Sequence, residues 1–268
     1  MIRLLLSLCL ALMALPVTAQ SREPFADPIS ARIIPGWDLP DGRHVAGLEL
    51  VLKPGWKTYW RSPGDAGIPP EFDWSRARNV GAVQVDWPTP EIHIQNGLRS
   101  IGYDGRVVIP LTVTPRRSGA IRLRGRMHLG VCADVCMPHA IDLDGALPRG
   151  NGTPVPAVAS ALAALPYSAE EAGVRAATCR LRPTDRGVML EARVALPRTG
   201  RGEIAVIEPN VADVWTSEAR VHRADGWLIA VSELVHNRGK PFAIDRSDVV
   251  ITVLGGQFAV EIEGCTAG

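Results

Sequence analysis

An excess of charge of one sign is missing from this sequence: 29 Lys and Arg stand against 28 Asp and Glu, for a formal net charge of +1. A nucleic-acid binder needs a basic face, so that function class is set aside. Long apolar runs are missing after the first nineteen residues, and no membrane span is expected in the mature chain. The long 3.6-residue periodicity of helical bundles is absent, and no internal repeat is visible. There is no G-x-S-x-G, no H-E-x-x-H and no glycine-rich phosphate loop. That removes the common hydrolase, zinc-protease and nucleotide-binding signatures, and no cofactor is expected. Aromatics make up only 5% of residues; Trp56, Tyr59, Trp60, Trp74 and Trp87 cluster in the first half and read mostly as core. Cysteine is scarce, with five in 268 residues.

What is present suits a globular chain. Hydrophobic residues make up 46% of the sequence, and 268 residues are enough for two ordinary domains. Residues 1–19 read as a secretory signal: Arg3, an apolar run from Leu4 to Leu15, and Val17-Thr18-Ala19 before Gln20. Cys9 leaves with that segment. The mature protein is expected to be exported, to the periplasm, where disulfides persist.

Four cysteines remain, Cys132, Cys136, Cys179 and Cys265. Three pairings exist in principle. Proximity in sequence favours Cys132–Cys136 and Cys179–Cys265.

Along the chain, short strand patterns recur between turns. Residues 43–52 and 57–61 read as strands joined by Lys53-Pro54-Gly55. Val83, Val85 and Trp87 alternate with polar residues; Glu91 to Gly102 reads as loop. Residues 106–113 are β-branched, and Pro110 there suggests an edge or a bulge. In the clearest strand, Ile121, Leu123, Met127 and Leu129 alternate with Arg122, Arg124, Arg126 and His128. If that strand continues, Cys132 falls on the wet His128 side. Leu147 to Leu165 is Pro/Gly-rich and then Ala-rich, with a short helix expected near Ala157–Leu165. Strand patterns resume at 188–194, 204–207, 227–234, 249–254 and 258–262. The expected fold is all-β: two antiparallel β-sandwiches in tandem, over 20–148 and 175–268, joined by a linker over 149–174.

The two cysteine pairs differ in what they close. By loop entropy, a ring of about five residues gains roughly 2 kcal/mol, and one of about 87 residues roughly 4.6 kcal/mol. The long pair reads as a structural staple. The short pair staples little and is the candidate for reversible thiol–disulfide exchange, one thiolate attacking a partner and the other resolving the mixed disulfide. Two other readings stand beside it. One is a structural clip across a hairpin. The other is a copper or zinc site, because His128, Cys132, Cys136 and His139 form H-x3-C-x3-C-x2-H.

Three stretches taken in order, Gly55-Trp56-Lys57-Thr58-Tyr59-Trp60-Arg61-Ser62-Pro63-Gly64-Asp65-Ala66-Gly67, Tyr103 to Pro110, and Val131-Cys132-Ala133-Asp134-Val135-Cys136-Met137-Pro138, resemble the N-terminal periplasmic domain of the DsbD disulfide reductases, in the branch of the ScsB-type proteins of copper tolerance. The resemblance covers about residues 30–148. It implies an immunoglobulin-like sandwich that takes electrons from a thioredoxin-like domain or membrane electron-transfer protein and passes them to periplasmic disulfide-containing proteins. It implies that Cys136 forms the mixed disulfides and Cys132 resolves them, with Tyr59, Trp60, Tyr103 and Asp134 shaping access. Three departures stand out. The cysteines are closer together than is usual in the family. The stretch from Glu91 to Leu98, where the family carries a shielding phenylalanine, holds Ile92, Ile94 and Leu98 but no aromatic. Neither the membrane segment nor the thioredoxin-like domain is in these residues, so the donor is expected on another polypeptide.

Overall fold

The structure is a computed structural model that describes residues 27–64, 67–95 and 97–268. The expected export signal lies outside the described residues. In the first half, ten strands form two sheets. One sheet orders β1 (Ile29–Asp38), β2 (His44–Leu52), β8 (Arg106–Pro115) and β5 (Val80–Val85). The other orders β10 (Cys136–Leu147), β9 (Ile121–Cys132), β3 (Lys57–Tyr59), β7 (Leu98–Asp104) and β6 (Glu91–Gln95), with β4 (Glu71–Asp73) also on β9. Leu48, Leu50, Ile109 and Leu111 of the first sheet meet Leu123, Met127, Leu129 and Trp60 of the second in one core. Each such side chain contributes roughly 1.5–3 kcal/mol by leaving water.

Two expectations are corrected. Pro110 lies in β8, an inner strand between β2 and β5, not at an edge. Its carbonyl accepts from the Asp86 N–H just past the end of β5, so its missing N–H faces the same side, where the partner strand has already ended. Residues 91–102 are not loop: β6 and β7 form a hairpin in which Gln95 pairs with Leu98, with Gly97 at φ +79°. Asn-Gly is the strongest short hairpin signal, and Glu91-Ile92-His93-Ile94-Gln95 alternates with a period of two. The second unit is an antiparallel sandwich as expected, to which the two-residue strands Tyr167–Ser168 and Thr266–Ala267 add short parallel pairings.

Past the first sandwich, α1 (Pro156–Leu162) starts on a proline and lays Val158 against Ile34, Trp37 and Val45. The second unit packs Leu190, Ala192, Val194, Leu228 and Leu234 against Ile207, Ile251, Val253 and Ile262. The first core runs on into Leu254 and Ala259 of this unit. At the junction, the Arg61 guanidinium donates to Glu208 and pairs with Glu261, and it lies 4.3 Å from the Trp60 ring centroid. Among the described residues no helix is long and apolar enough to cross a membrane.

Candidate functional site

The strict alternation of β9 carries it to Cys132, and β10 pairs back from Cys136, directly opposite. The two sulfurs form a disulfide across the turn Ala133-Asp134-Val135, and Cys179 and Cys265 form a second one. Cys179 is fully buried, and its partner Cys265 precedes the C-terminal strand that pairs with the Cys179 strand. That bridge ties the strand Ala176–Pro183 of the second unit to the end of the chain.

The two sulfurs of the short pair are unequal. Cys132 is 4% exposed, whereas Cys136 is exposed. Cys132 does lie on the His128 face of β9, as alternation requires, but this end of that face is covered. Lys57 of β3 pairs with Cys132, and the Tyr59 ring lies over Gly130. A Cβ on Gly130 would sit 2.7 Å from Tyr59 Cε2, so only glycine leaves the ring its place. Tyr59, 2% exposed, directs its hydroxyl at Cys136 Sγ, 3.2 Å away. Burial raises the Tyr59 pKa, so the hydroxyl remains a donor at neutral pH.

The β6–β7 hairpin abuts the cysteine turn. Gln95 donates through Nε2 to the Ala133 carbonyl at 3.1 Å and accepts from Lys57 Nζ at 3.0 Å. Asp134 is exposed on the turn, beside a recess that Lys57, His93 and Asp104 also line. The apolar side chains nearest in sequence to the pair and at the hairpin tip are uncovered: Val135 is 68% exposed and Ile94 76%.

Two expected access residues are elsewhere. Trp60 and Tyr103 point into the core on the other side of the sheet, because each is one residue out of phase with the Tyr59 face. The Tyr103 hydroxyl donates to the Pro88 carbonyl at 2.7 Å, and burial holds its pKa far above the usual tyrosine range. The His128/Cys132/Cys136/His139 set does not assemble. Both sulfurs are spent in the disulfide, and the register Ala140↔His128 and His139↔Leu129 puts the two imidazoles on opposite faces of the ribbon. The sequence reading missed His93 and Gln95, which sit in the stretch taken as loop; its alternation was the available signal.

Residues 29–147 match the family model for the N-terminal region of the thiol:disulfide interchange protein DsbD. No curated protein matches the chain. Among solved structures, the N-terminal periplasmic domain of ScsB from Proteus mirabilis is similar, with TM-score 0.68 and 22% identity over 91% of this chain and 96% of that one. The reduced DsbD N-terminal domain from Neisseria meningitidis aligns at TM-score 0.30 and 13% identity, over 48% of this chain and 94% of that one. Two tandem immunoglobulin-like sandwiches are thus an architecture shared with the ScsB domain, and residues 29–147 of this chain match the DsbD N-terminal family.

Proposed function

We propose that this protein is a periplasmic thiol–disulfide interchange protein that carries electrons on Cys132 and Cys136. The observation that carries the reading is the unequal exposure of the two bonded cysteines at the tip of the β9–β10 hairpin. An incoming thiolate can approach only the exposed sulfur, Cys136. As the new S–S bond forms there, the Cys132–Cys136 bond breaks and Cys132 leaves as a thiolate. The donor's second thiolate then attacks its own sulfur in the mixed disulfide and releases Cys136. The donor ends oxidised by two electrons and the pair is reduced.

Delivery runs the same steps towards an oxidised substrate. Cys136 thiolate attacks the substrate disulfide and expels one substrate thiolate. Cys132 then attacks Cys136 Sγ, closes the pair again and releases the second. Tyr59 supports both halves, because its O–H can donate to the charge that gathers on Cys136 Sγ. The donor is read as a thioredoxin-like domain or membrane electron-transfer protein, and the acceptors as periplasmic proteins with disulfides; the match of residues 29–147 to the DsbD N-terminal family model supports this reading.

The test is trapping. Cys132→Ser leaves Cys136 able to attack and nothing to resolve, so mixed disulfides should accumulate with periplasmic proteins and vanish on reduction. Cys136→Ser should trap none. Equal trapping by both variants, or by neither, would end the assignment.

A further inference from the structure

Three side chains on the β6–β7 hairpin come together, and two of them, His93 and Asp104, line the recess beside the cysteine turn. Glu91 and His93 lie two apart on β6 and so share a face. Glu91 pairs with Gly102, which has no side chain, and Asp104 follows two residues later on that same face of β7. One ligand atom from each of Glu91, His93 and Asp104 lies within 4.8 Å of the others.

None of the three is committed elsewhere. The His93 Nε2 is buried without a hydrogen-bond partner. Among the described residues, neither carboxylate forms an ion pair or a side-chain hydrogen bond. The nearby cation, Lys57, gives its ammonium to Gln95 instead. Two carboxylates gathered with an imidazole whose Nε2 is buried and unsatisfied offer three free donor atoms to something positive.

We propose that Glu91, His93 and Asp104 form a binding site for a divalent cation of the zinc type. One nitrogen and two oxygens suit that borderline class, and three protein ligands leave a coordination position open. Zinc–ligand distances of roughly 2.0–2.2 Å require the donors to close in slightly, which rotation of two exposed carboxylate side chains achieves. His93 and Asp104 border a recess that Lys53, Lys57, Ala133 and Asp134 also line. A cation held there stands beside the cysteine turn, and Gln95, the next residue on that face of β6, hydrogen-bonds that turn. The site is separate from the cysteines and does not depend on the exchange reading.

The test is calorimetric titration of zinc sulfate into the purified, untagged protein with both disulfides closed, so that no thiol can bind. One saturable equivalent is expected. His93→Ala should weaken it at least about tenfold. Asp104→Asn and Glu91→Gln, at exposed positions that leave folding intact by circular dichroism, should each weaken it as well, and Cys132→Ser with Cys136→Ser should not. Absence of saturable binding, an affinity unchanged in all three ligand variants, or loss of binding in His128→Ala alone would overturn the site. Because oxidised protein is used, none of these results bears on thiol exchange.

Discussion

The Tyr59 hydroxyl lies 3.2 Å from Cys136 Sγ, and 77 residues of sequence separate the two. One residue beyond Tyr59, the Trp60 side chain turns into the core. One further, Arg61 reaches Glu208 and Glu261 of the second sandwich. A single three-residue stretch therefore touches the disulfide, the first core and the interdomain contact in succession, because consecutive residues of an extended chain face opposite ways.

The Tyr59 contact predicts a shift in thiol chemistry. Tyr59→Phe keeps the ring over Gly130 and removes only the donor. In the reduced protein the Cys136 thiol pKa should rise by about one unit, the order of one hydrogen bond to a charged group. The rate of iodoacetamide alkylation against pH, read by mass at Cys136, measures this. An unmoved midpoint would make Tyr59 a packing residue alone.

Arg61 predicts coupling between the two sandwiches. Arg61→Met leaves the Glu208 and Glu261 carboxylates together without their cation. The site is partly open to solvent, so a loss of about 1–3 kcal/mol is expected rather than the full penalty of a buried pair. Thermal unfolding measures it. Glu208→Gln in the Arg61→Met background should recover part of the loss, and a further loss would contradict the clasp.

The long bridge should matter to stability and not to exchange. Cys179→Ser with Cys265→Ser is expected to cost about 2–5 kcal/mol. Oxidation and reduction of Cys132–Cys136, followed by thiol counting, should proceed as in the unmodified protein. A changed potential of the short pair would mean that the second unit acts on the site.

Acid should weaken the β9–β10 ribbon. Arg126 and Arg76 hold the Asp142 pKa down at about 2, and Arg122 and Arg124 hold Asp144 still lower. A depressed carboxylate pKa contributes stability that is present above the unfolded value, about 4, and is lost as pH falls through the folded value. Near-UV circular dichroism should therefore show loss of stability below about pH 4. Asp142→Asn with Asp144→Asn should flatten that dependence. An unchanged acid profile would show that these ion pairs are too exposed to count.

Some of this was legible in the sequence because it depends on neighbours in the chain. The alternation from Ile121 to Leu129 is a property of period-two geometry, and it determined β9, its buried face and the position of the cysteines at its end. The pairings Cys132–Cys136 and Cys179–Cys265 followed from spacing. The β6–β7 hairpin was also legible in Asn96-Gly97, but Ile92, Ile94 and Leu98 add no buried apolar face around that turn.

The rest was decided by contacts between segments far apart in sequence. Parity put Cys132 on the wet face correctly, but only the approach of β3, with Lys57 opposite Cys132 and Tyr59 over Gly130, made that face dry there. The same approach made the two sulfurs unequal. His128 and His139 look like a ligand set along the chain, and strand register separates them onto two faces. Glu91, His93 and Asp104 carry no motif, and the fold of one hairpin brings them together. Spacing determines which face a side chain occupies; what lies across that face depends on which distant strand the core draws against it.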